Sequence, residues 1–217
     1  MLNKNDLLLY LCTDRVLSLG RSITDVVEAS IAGGVTMIQL REKNASTREF
    51  YKIALSVQKI TLQKKIPLVI NDRLDIALAV GADGLHIGQS DMPVDAARHL
   101  AGKKMFIGVS ASTAVEAAAA EKGGADYIGA GPVFPTGSKS DAGTAIGLDG
   151  LKAICAAVRI PVAAIGGINA ENAAEIIKQG AYGAAVISAI LSQPDIHAAS
   201  AKLKEELLRA RGLQSPA

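Results

Sequence analysis

Gly81-Ala82-Asp83-Gly84-Leu85-His86-Ile87 is the stretch from which the fold can be read. It opens on glycine, the residue a helix C-terminus takes where the backbone turns left-handed. It then enters a short apolar run bounded by turn residues, as a strand buried on both faces does. The same figure recurs as Gly33-Gly34-Val35-Thr36-Met37-Ile38, as Gly124-Ala125-Asp126-Tyr127-Ile128 and as Gly180-Ala181-Tyr182-Gly183-Ala184-Ala185-Val186-Ile187. Each copy follows a helical pattern, so the chain carries a faint helix–turn–strand repeat.

Four further apolar runs complete the pattern. Residues 7–11 open the chain and 105–109 form another. Runs 66–70 and 160–165 place Pro67 and Pro161 near the strand start, where a missing N–H does least harm. Helical spacing separates the runs, as in Ile23-Val26-Val27-Ser30-Ile31 and Phe50-Ile53-Ala54-Val57-Ile60. Residues 113–122 are alanine-rich and favour helix. Asp149 is expected to cap a helix through Val158, Asn169 one through Gln179, and a last helix should cover 196–211. Eight strand–helix units of about 27 residues each imply an all-parallel sheet that closes into a (β/α)8 TIM barrel. An open doubly wound sheet is the rival, but no Gly-x-Gly-x-x-Gly follows the first strand. The expected organisation is a single domain over 1–211, with 212–217 a loose tail.

Composition narrows the function. The 217 residues are 49% hydrophobic, and the net charge is +2. That gives no electrostatic reason to expect nucleic acid or an anionic membrane surface. Aromatic content is 3% with no Trp, which disfavours base-stacking platforms. Mean hydropathy is +0.27, which excludes a disordered chain. Cys12 and Cys155 lie far apart in apolar runs and read as buried free thiols. No run of about 18 apolar residues suggests a membrane span. The opening Met1-Leu2-Asn3-Lys4-Asn5-Asp6 does not resemble a signal peptide, so a cytoplasmic setting is expected.

In a barrel of this kind chemistry sits at the C-terminal strand ends. Strand 2 ends in Gln39-Leu40-Arg41-Glu42-Lys43, and alternation puts Gln39, Arg41 and Lys43 on one face. Two cations and an amide suit a phosphate or diphosphate, although a solvated turn has the same composition. Strands 3 and 4 end in Asn71-Asp72-Arg73 and Gly88-Gln89-Ser90-Asp91. Asp72 and Asp91 can approach across the rim and hold Mg2+ with substrate phosphate oxygens. Alternatively, Asp72 pairs with Arg73 or Arg41, and Asp91 caps a helix starting near Pro93. Ser110 ends strand 5, where serine is commonly a helix cap or hydrogen-bond donor, and no His or acid motif marks it as a nucleophile. The long segment 130–147 carries Thr136, Gly137, Ser138 and Lys139, which can bind an anion or form a plain surface loop. Gly166-Gly167 and Ile187-Ser188 end strands 7 and 8, where barrels bind phosphate through backbone N–H groups. His86 reads as a hydrogen-bonded barrel-wall residue, and no His/Cys cluster suggests zinc. The sum is two anion sites on opposite sides of one mouth, which favours a transferase with an activated leaving group.

Taken in order, Gln39-Leu40-Arg41-Glu42-Lys43, Ile70-Asn71-Asp72-Arg73, His86-Ile87-Gly88-Gln89-Ser90-Asp91, Gly129-Ala130-Gly131-Pro132-Val133-Phe134-Pro135-Thr136 with Lys139, and Ile165-Gly166-Gly167-Ile168 resemble the thiamin-phosphate synthase family. The resemblance covers nearly the whole chain and implies a (β/α)8 enzyme of thiamin biosynthesis. Such an enzyme joins 4-amino-5-hydroxymethyl-2-methylpyrimidine diphosphate to a thiazole phosphate or its carboxylated form. The products are thiamin phosphate, diphosphate and, with the carboxylated substrate, CO2.

The resemblance also implies roles. Gln39, Arg41, Glu42, Lys43, Asn71, Ser110 and Lys139 would hold the pyrimidine diphosphate, with Arg41, Lys43, Lys139 and Ser110 closest to catalysis. Asp72 and Asp91 would hold one Mg2+. Thr136, Gly137, Ser138, Gly167, Ile187 and Ser188 would bind the thiazole phosphate. Diphosphate would leave first, giving a pyrimidine methylene cation that the thiazole nitrogen attacks. The implied partners are two phosphorylated small molecules, and a homo-oligomer is left open. A related thiazole tautomerase, or a non-catalytic thiazole-phosphate binding protein, would not need the diphosphate and metal residues that this sequence keeps.

Overall fold

The computed structural model describes residues 2–138 and 143–213. The strands are β1 Leu9–Cys12, β2 Met37–Leu40, β3 Leu68–Asn71, β4 Gly84–Ile87, β5 Phe106–Ala111, β6 Tyr127–Ala130, β7 Val162–Ile165 and β8 Gly183–Val186. The helices are α1 Ile23–Ala32, α2 Thr47–Lys64, α3 Leu74–Val80, α4 Val94–Ala101, α5 Ala114–Lys122, α6 Gly147–Ala157, α7 Ala173–Lys178, α8 Ser188–Leu191 and α9 Ile196–Ala210. A short 3-10 turn, Lys4–Leu7, precedes β1. All eight strands pair in parallel and in sequence order, and β8 closes on β1. The fold is the expected (β/α)8 TIM barrel.

Strands of four residues suffice because both faces are buried, the inner against the barrel and the outer against helices. They start later than the glycines of the repeat suggest, and the hydrogen bonds give the reason. Thr36 Oγ1 accepts the Leu9 N–H at 2.9 Å, Asp83 Oδ2 that of Leu68 at 2.9 Å and Asp126 Oδ2 that of Ile107 at 2.7 Å. The residue just before β2, β4 or β6 thus satisfies a donor at the start of the strand before it. Three of the four repeats share this device. The fourth keeps only the backbone bond that Thr36 and Asp126 also make, its Tyr182 N–H donating to Val162 O at 2.7 Å.

Inside the barrel, missing side chains make room for large ones. A Cβ on Gly84 would lie 2.3 Å from Phe106, and one on Gly108 2.0 Å from Tyr127. The Tyr127 ring meets Phe106 edge-on with centroids 6.2 Å apart. Interiors pack too densely for both a methyl and a ring in one hole.

Some helix boundaries differ from expectation. Asp149 does not cap α6, which starts two residues earlier after Ile146; Asp149 lies in the first turn, where its charge suits the helix N-terminus. Asn169 does not open α7. It closes a turn by accepting the N–H groups of Glu171 and Asn172 at 2.8 and 3.3 Å, and the helix begins after Asn172. Gly212 and Leu213, placed with the tail, instead finish α9. Gly212 is left-handed at φ 67°, and Leu213 N–H donates to Leu208 O at 2.9 Å. Residues 214–217 lie outside the described residues.

Candidate active site

The C-terminal strand ends line one cavity of about 750 Å³, the size of a small-molecule site. Arg41, Lys43, Asn71, Asp72, Asp91 and Ser110 form one part of its wall, and Thr136, Ser138, Gly167, Ile187 and Ser188 another. The strand ends singled out in the sequence therefore meet at one mouth.

The cations are already paired. Arg41 Nη1 lies 3.0 Å from Asp14 Oδ2, and Lys43 Nζ 2.8 Å from Asp72 Oδ2. Asp72 pairs with neither Arg73 nor Arg41, because Arg73 forks onto Asp75 at 2.8 and 2.6 Å. Asp91 does not cap α4, whose N-cap is Pro93 with no side-chain bond. Its Oδ2 accepts the Gly88 N–H at 2.7 Å and so turns back over the end of β4.

Asp72 and Asp91 do come together. Burial pushes the Asp72 carboxyl above its ordinary value; the Lys43 hydrogen bond pulls it down, and hydrogen bonding and charge repulsion from Asp91 push it up again. Asp72 sits left-handed at φ 63°, a region Asp enters more readily than most residues. Its N–H donates to His86 O at 2.8 Å, which fixes the turn off β3 against β4.

The other half is neutral. Thr136 Oγ1 donates to Ser138 Oγ at 3.3 Å, and Ser138 Oγ to Ser188 Oγ at 2.9 Å. This ties the segment after β6 to the end of β8. Gly166 and Gly167 have φ 97° and 66°. A Cβ on Gly166 would lie 2.5 Å from Pro132, and one on Gly167 2.7 Å from Phe134. Glycine here lets the β6–α6 segment lie directly on the end of β7, where Val133 and Phe134 N–H groups donate to Ile165 and Gly166 carbonyls at 2.8 and 3.0 Å. The result is a rim of backbone and hydroxyls that suits a phosphate without a counter-charge.

Three expected site residues stand apart from the cavity wall. Gln39 faces the barrel interior one layer down, 1% exposed, with its amide donating to Tyr10 Oη. Glu42 points away and pairs with Arg15 at 2.9 Å. Gly137 is exposed, and a Cβ there would meet nothing within 4 Å. Lys139 lies outside the described residues.

Sequence reasoning passed over Asp14, which holds Arg41 and also accepts the Val16 and Leu17 N–H groups at 3.0 and 3.1 Å. It lies two residues past β1, so the rule applied to the other strand ends would have found it. Glu116 was also unmarked. It lines the cavity at the start of α5, and three hydrogen bonds from Ser112 and Thr113 hold its carboxyl below the usual range against the effect of burial.

A barrel whose mouth joins a cationic, carboxylate-bearing half to a neutral backbone half is a phosphate-handling (β/α)8 enzyme. The family described as Thiamine monophosphate synthase matches residues 9–190, and the chain belongs to that family. It is 54% identical over 195 residues to a thiamine-phosphate synthase of Clostridium novyi, covering 90% of this chain and 96% of that one. It is 50% identical over 204 residues to one of Moorella thermoacetica, covering 94% and 97%. Among solved structures, a thiamine phosphate pyrophosphorylase from Pyrococcus furiosus superposes with a TM-score of 0.89 at 44% identity, covering 95% of this chain and 98% of that one.

Proposed function

We propose that the mouth divides its two substrates between its two halves. The reaction is thiamine-phosphate synthesis, a transferase step of thiamine biosynthesis. The pyrimidine diphosphate lies against Arg41, Lys43, Asn71 and Ser110, and the thiazole phosphate against Thr136, Ser138, Gly167, Ile187 and Ser188. The observation that carries this reading is that both sets line a single cavity.

Mg2+ fits the cationic half. Two carboxylates share a half-buried site with one ammonium bound to Asp72, and burial and repulsion from Asp91 raise Asp72. Among the described residues no group of three or more His, Cys, Asp or Glu gathers, and two carboxylates beside phosphate oxygens are a donor set that Mg2+ accepts. Asp72 and Asp91 would hold the ion. When bound it neutralises charge developing on the departing diphosphate.

The remaining work falls to this chain's residues. Arg41 grips the diphosphate through its guanidinium fork, and Lys43 adds a point charge. Both stabilise the leaving group more as its charge grows, so their effect falls on turnover. Ser110 orients the pyrimidine, and the hydroxyl and backbone rim presents the thiazole nitrogen to the electrophilic methylene. Lys139 is proposed to reach the diphosphate from the segment after β6. Gln39 acts from the layer below. Glu42 acts at most through the β2–α2 turn, which its ion pair with Arg15 braces. No helix among the described residues is long and apolar enough to cross a membrane. Cys12 and Cys155 are not joined in a disulfide, which accords with a cytoplasmic setting.

The test is to mix the purified protein with Mg2+, the pyrimidine diphosphate and each form of the thiazole phosphate, and to follow thiamin phosphate by its fluorescent oxidation product. Product that disappears with EDTA supports the reaction and the metal site together. Folded protein that gives no product with either thiazole overturns the reading.

A further inference from the structure

A buried line of hydrogen bonds crosses the barrel and ends at the mouth. Gln39 Nε2 donates to Tyr10 Oη, and the Tyr10 and Tyr127 hydroxyls are 2.8 Å apart. Tyr127 Oη lies 2.9 Å from His86 Nδ1, and His86 Nε2 lies 2.9 Å from Ser110 Oγ. The five residues come from five strands, β2, β1, β6, β4 and β5 in order along the line. Tyr10 and Tyr127 are 1% and 0% exposed, whereas Ser110 lines the cavity.

Counting protons gives this line a direction. An amide nitrogen only donates, and each hydroxyl has one proton. Tyr10 accepts from Gln39, so its own proton goes to the Tyr127 oxygen. The Tyr127 proton then goes to His86 Nδ1, which must be bare. A neutral ring bare at Nδ1 carries its proton on Nε2 and donates to Ser110 Oγ. The Ser110 proton is spent on nothing in the line and is free to point into the cavity. Burial holds both phenols far above their ordinary range, so both remain proton donors.

Turning the Gln39 amide over would reverse every bond, and Ser110 would then offer a lone pair. The burial of Gln39 selects between the two. Among the described residues its Oε1 is buried without a partner. The reversed amide would bury an unpartnered NH2 instead, and an unpaired carbonyl oxygen is tolerated more readily than an unpaired N–H.

We infer that Gln39, Tyr10 and Tyr127 lock His86 as the Nε2–H tautomer and so turn the Ser110 hydroxyl outward as a donor to an acceptor atom of a heteroaromatic substrate. His86 and Tyr127 are positioning residues, since they act through Ser110. The substrate class follows from the polarity. Ser110 meets a ring nitrogen lone pair and not an amino group. This rests on the proposed placement of the pyrimidine at Ser110.

The tautomer is read in the free protein, with no substrate, from the imidazole 15N shifts. The chain has three histidines, and a His86→Gln variant identifies the signal. The expected result is a protonated Nε2 and a bare Nδ1. A protonated Nδ1, alone or with Nε2, overturns the inference. Tyr127→Phe keeps the ring that fills the hole at Gly108 and removes one hydroxyl from the line. It should lower kcat/KM for the pyrimidine diphosphate about tenfold, the effect of one hydrogen bond, and leave the KM for thiazole phosphate unchanged. An unchanged kcat/KM overturns the inference. If Tyr127→Phe does not fold, the wild-type tautomer decides alone. Absence of product in the synthase assay would sink the proposed reaction but leave the tautomer result standing, so the two failures are distinct.

Discussion

Replacing Asp72 by Asn removes one charge from the mouth and keeps the side-chain shape. Asn also tolerates the left-handed backbone at this position. Burial, and after it Asp91, raise the Asp72 carboxyl above 3.8 despite Lys43. The folded protein therefore binds this proton more tightly than the unfolded chain. The stability so contributed is complete below the unfolded value of 3.8 and is lost as pH rises through the raised folded value. In metal-free protein at neutral pH, ionised Asp72 is then a net cost. That net rise already includes the Lys43 ion pair, which the variant gives up. Its side chains are 44% and 22% exposed, so it is worth about 0–1 kcal/mol. The opposing effects should keep the melting temperature of Asp72→Asn within about 4 °C of wild type in EDTA at neutral pH. The difference should move in the variant's favour as pH rises from about 4 to about 7. Turnover should behave otherwise. Losing one of the two carboxylates proposed to hold the ion against the leaving diphosphate costs about 3–4 kcal/mol, a hundred- to thousandfold in kcat. Melts in EDTA across this pH range, paired with kinetics at saturating Mg2+, measure both. A melting temperature lowered by about 10 °C, or unchanged kcat at saturating metal, would refute the reasoning.

Three other substitutions probe the rest of the mouth. Gly167→Ala puts a methyl 2.7 Å from Phe134 Cβ at φ 66°, so it should cost about 2–4 kcal/mol and raise the KM for thiazole phosphate at least about tenfold. A normal KM in steady-state assays would remove Gly167 from that cradle. Asp14→Ala frees Arg41 and two turn N–H groups, and should raise the KM for pyrimidine diphosphate by about three- to tenfold. An unchanged value would show that the backbone alone positions Arg41. Lys139→Ala should lower kcat about a hundredfold and leave the thiazole phosphate KM intact, and an effect confined to that KM would move Lys139 to the other anion.

The parts of this molecule legible in the sequence are those that local chemistry repeats. Gly81-Ala82-Asp83 and Gly124-Ala125-Asp126 announce a helix end and a strand start, and the structure adds that the aspartate serves the previous strand. Arg41 and Lys43 were found because alternation along an extended chain is short-range. Gln39 obeys the same alternation, but it lies two residues earlier and so about 7 Å deeper, below the mouth and not in it. Contacts between distant strands left no such trace. Nothing in spacing says that Asp14 will hold Arg41, 27 residues away. The meeting of His86 with Tyr127, 41 residues apart, depends on register. Gly108 is the partner of both His86 and Tyr127 across β5, and its missing side chain lets the two rings touch.

The two halves of the mouth handle charge in opposite ways, and this bears on which substrate each suits. On the cationic side Arg41 rests on Asp14 and Lys43 on Asp72, so both positive groups are held in place with their charge largely cancelled. A diphosphate arriving alone would meet these carboxylates as well as the cations, and repulsion from Asp72 and Asp91 would offset much of the attraction. Neutralising that carboxylate pair changes the balance. Lys43, no longer needed by Asp72, can turn its ammonium to the phosphate oxygens. On the proposed placement, binding of the diphosphate would be tied to an ion held by the two carboxylates. On the other side, Ser138, Ser188 and the β7 glycines present dipoles without net charge. A monophosphate can settle there without displacing a counter-ion, so its affinity should depend little on Mg2+. The proposed placement thus predicts that titrating Mg2+ shifts the KM of the pyrimidine diphosphate far more than that of the thiazole phosphate.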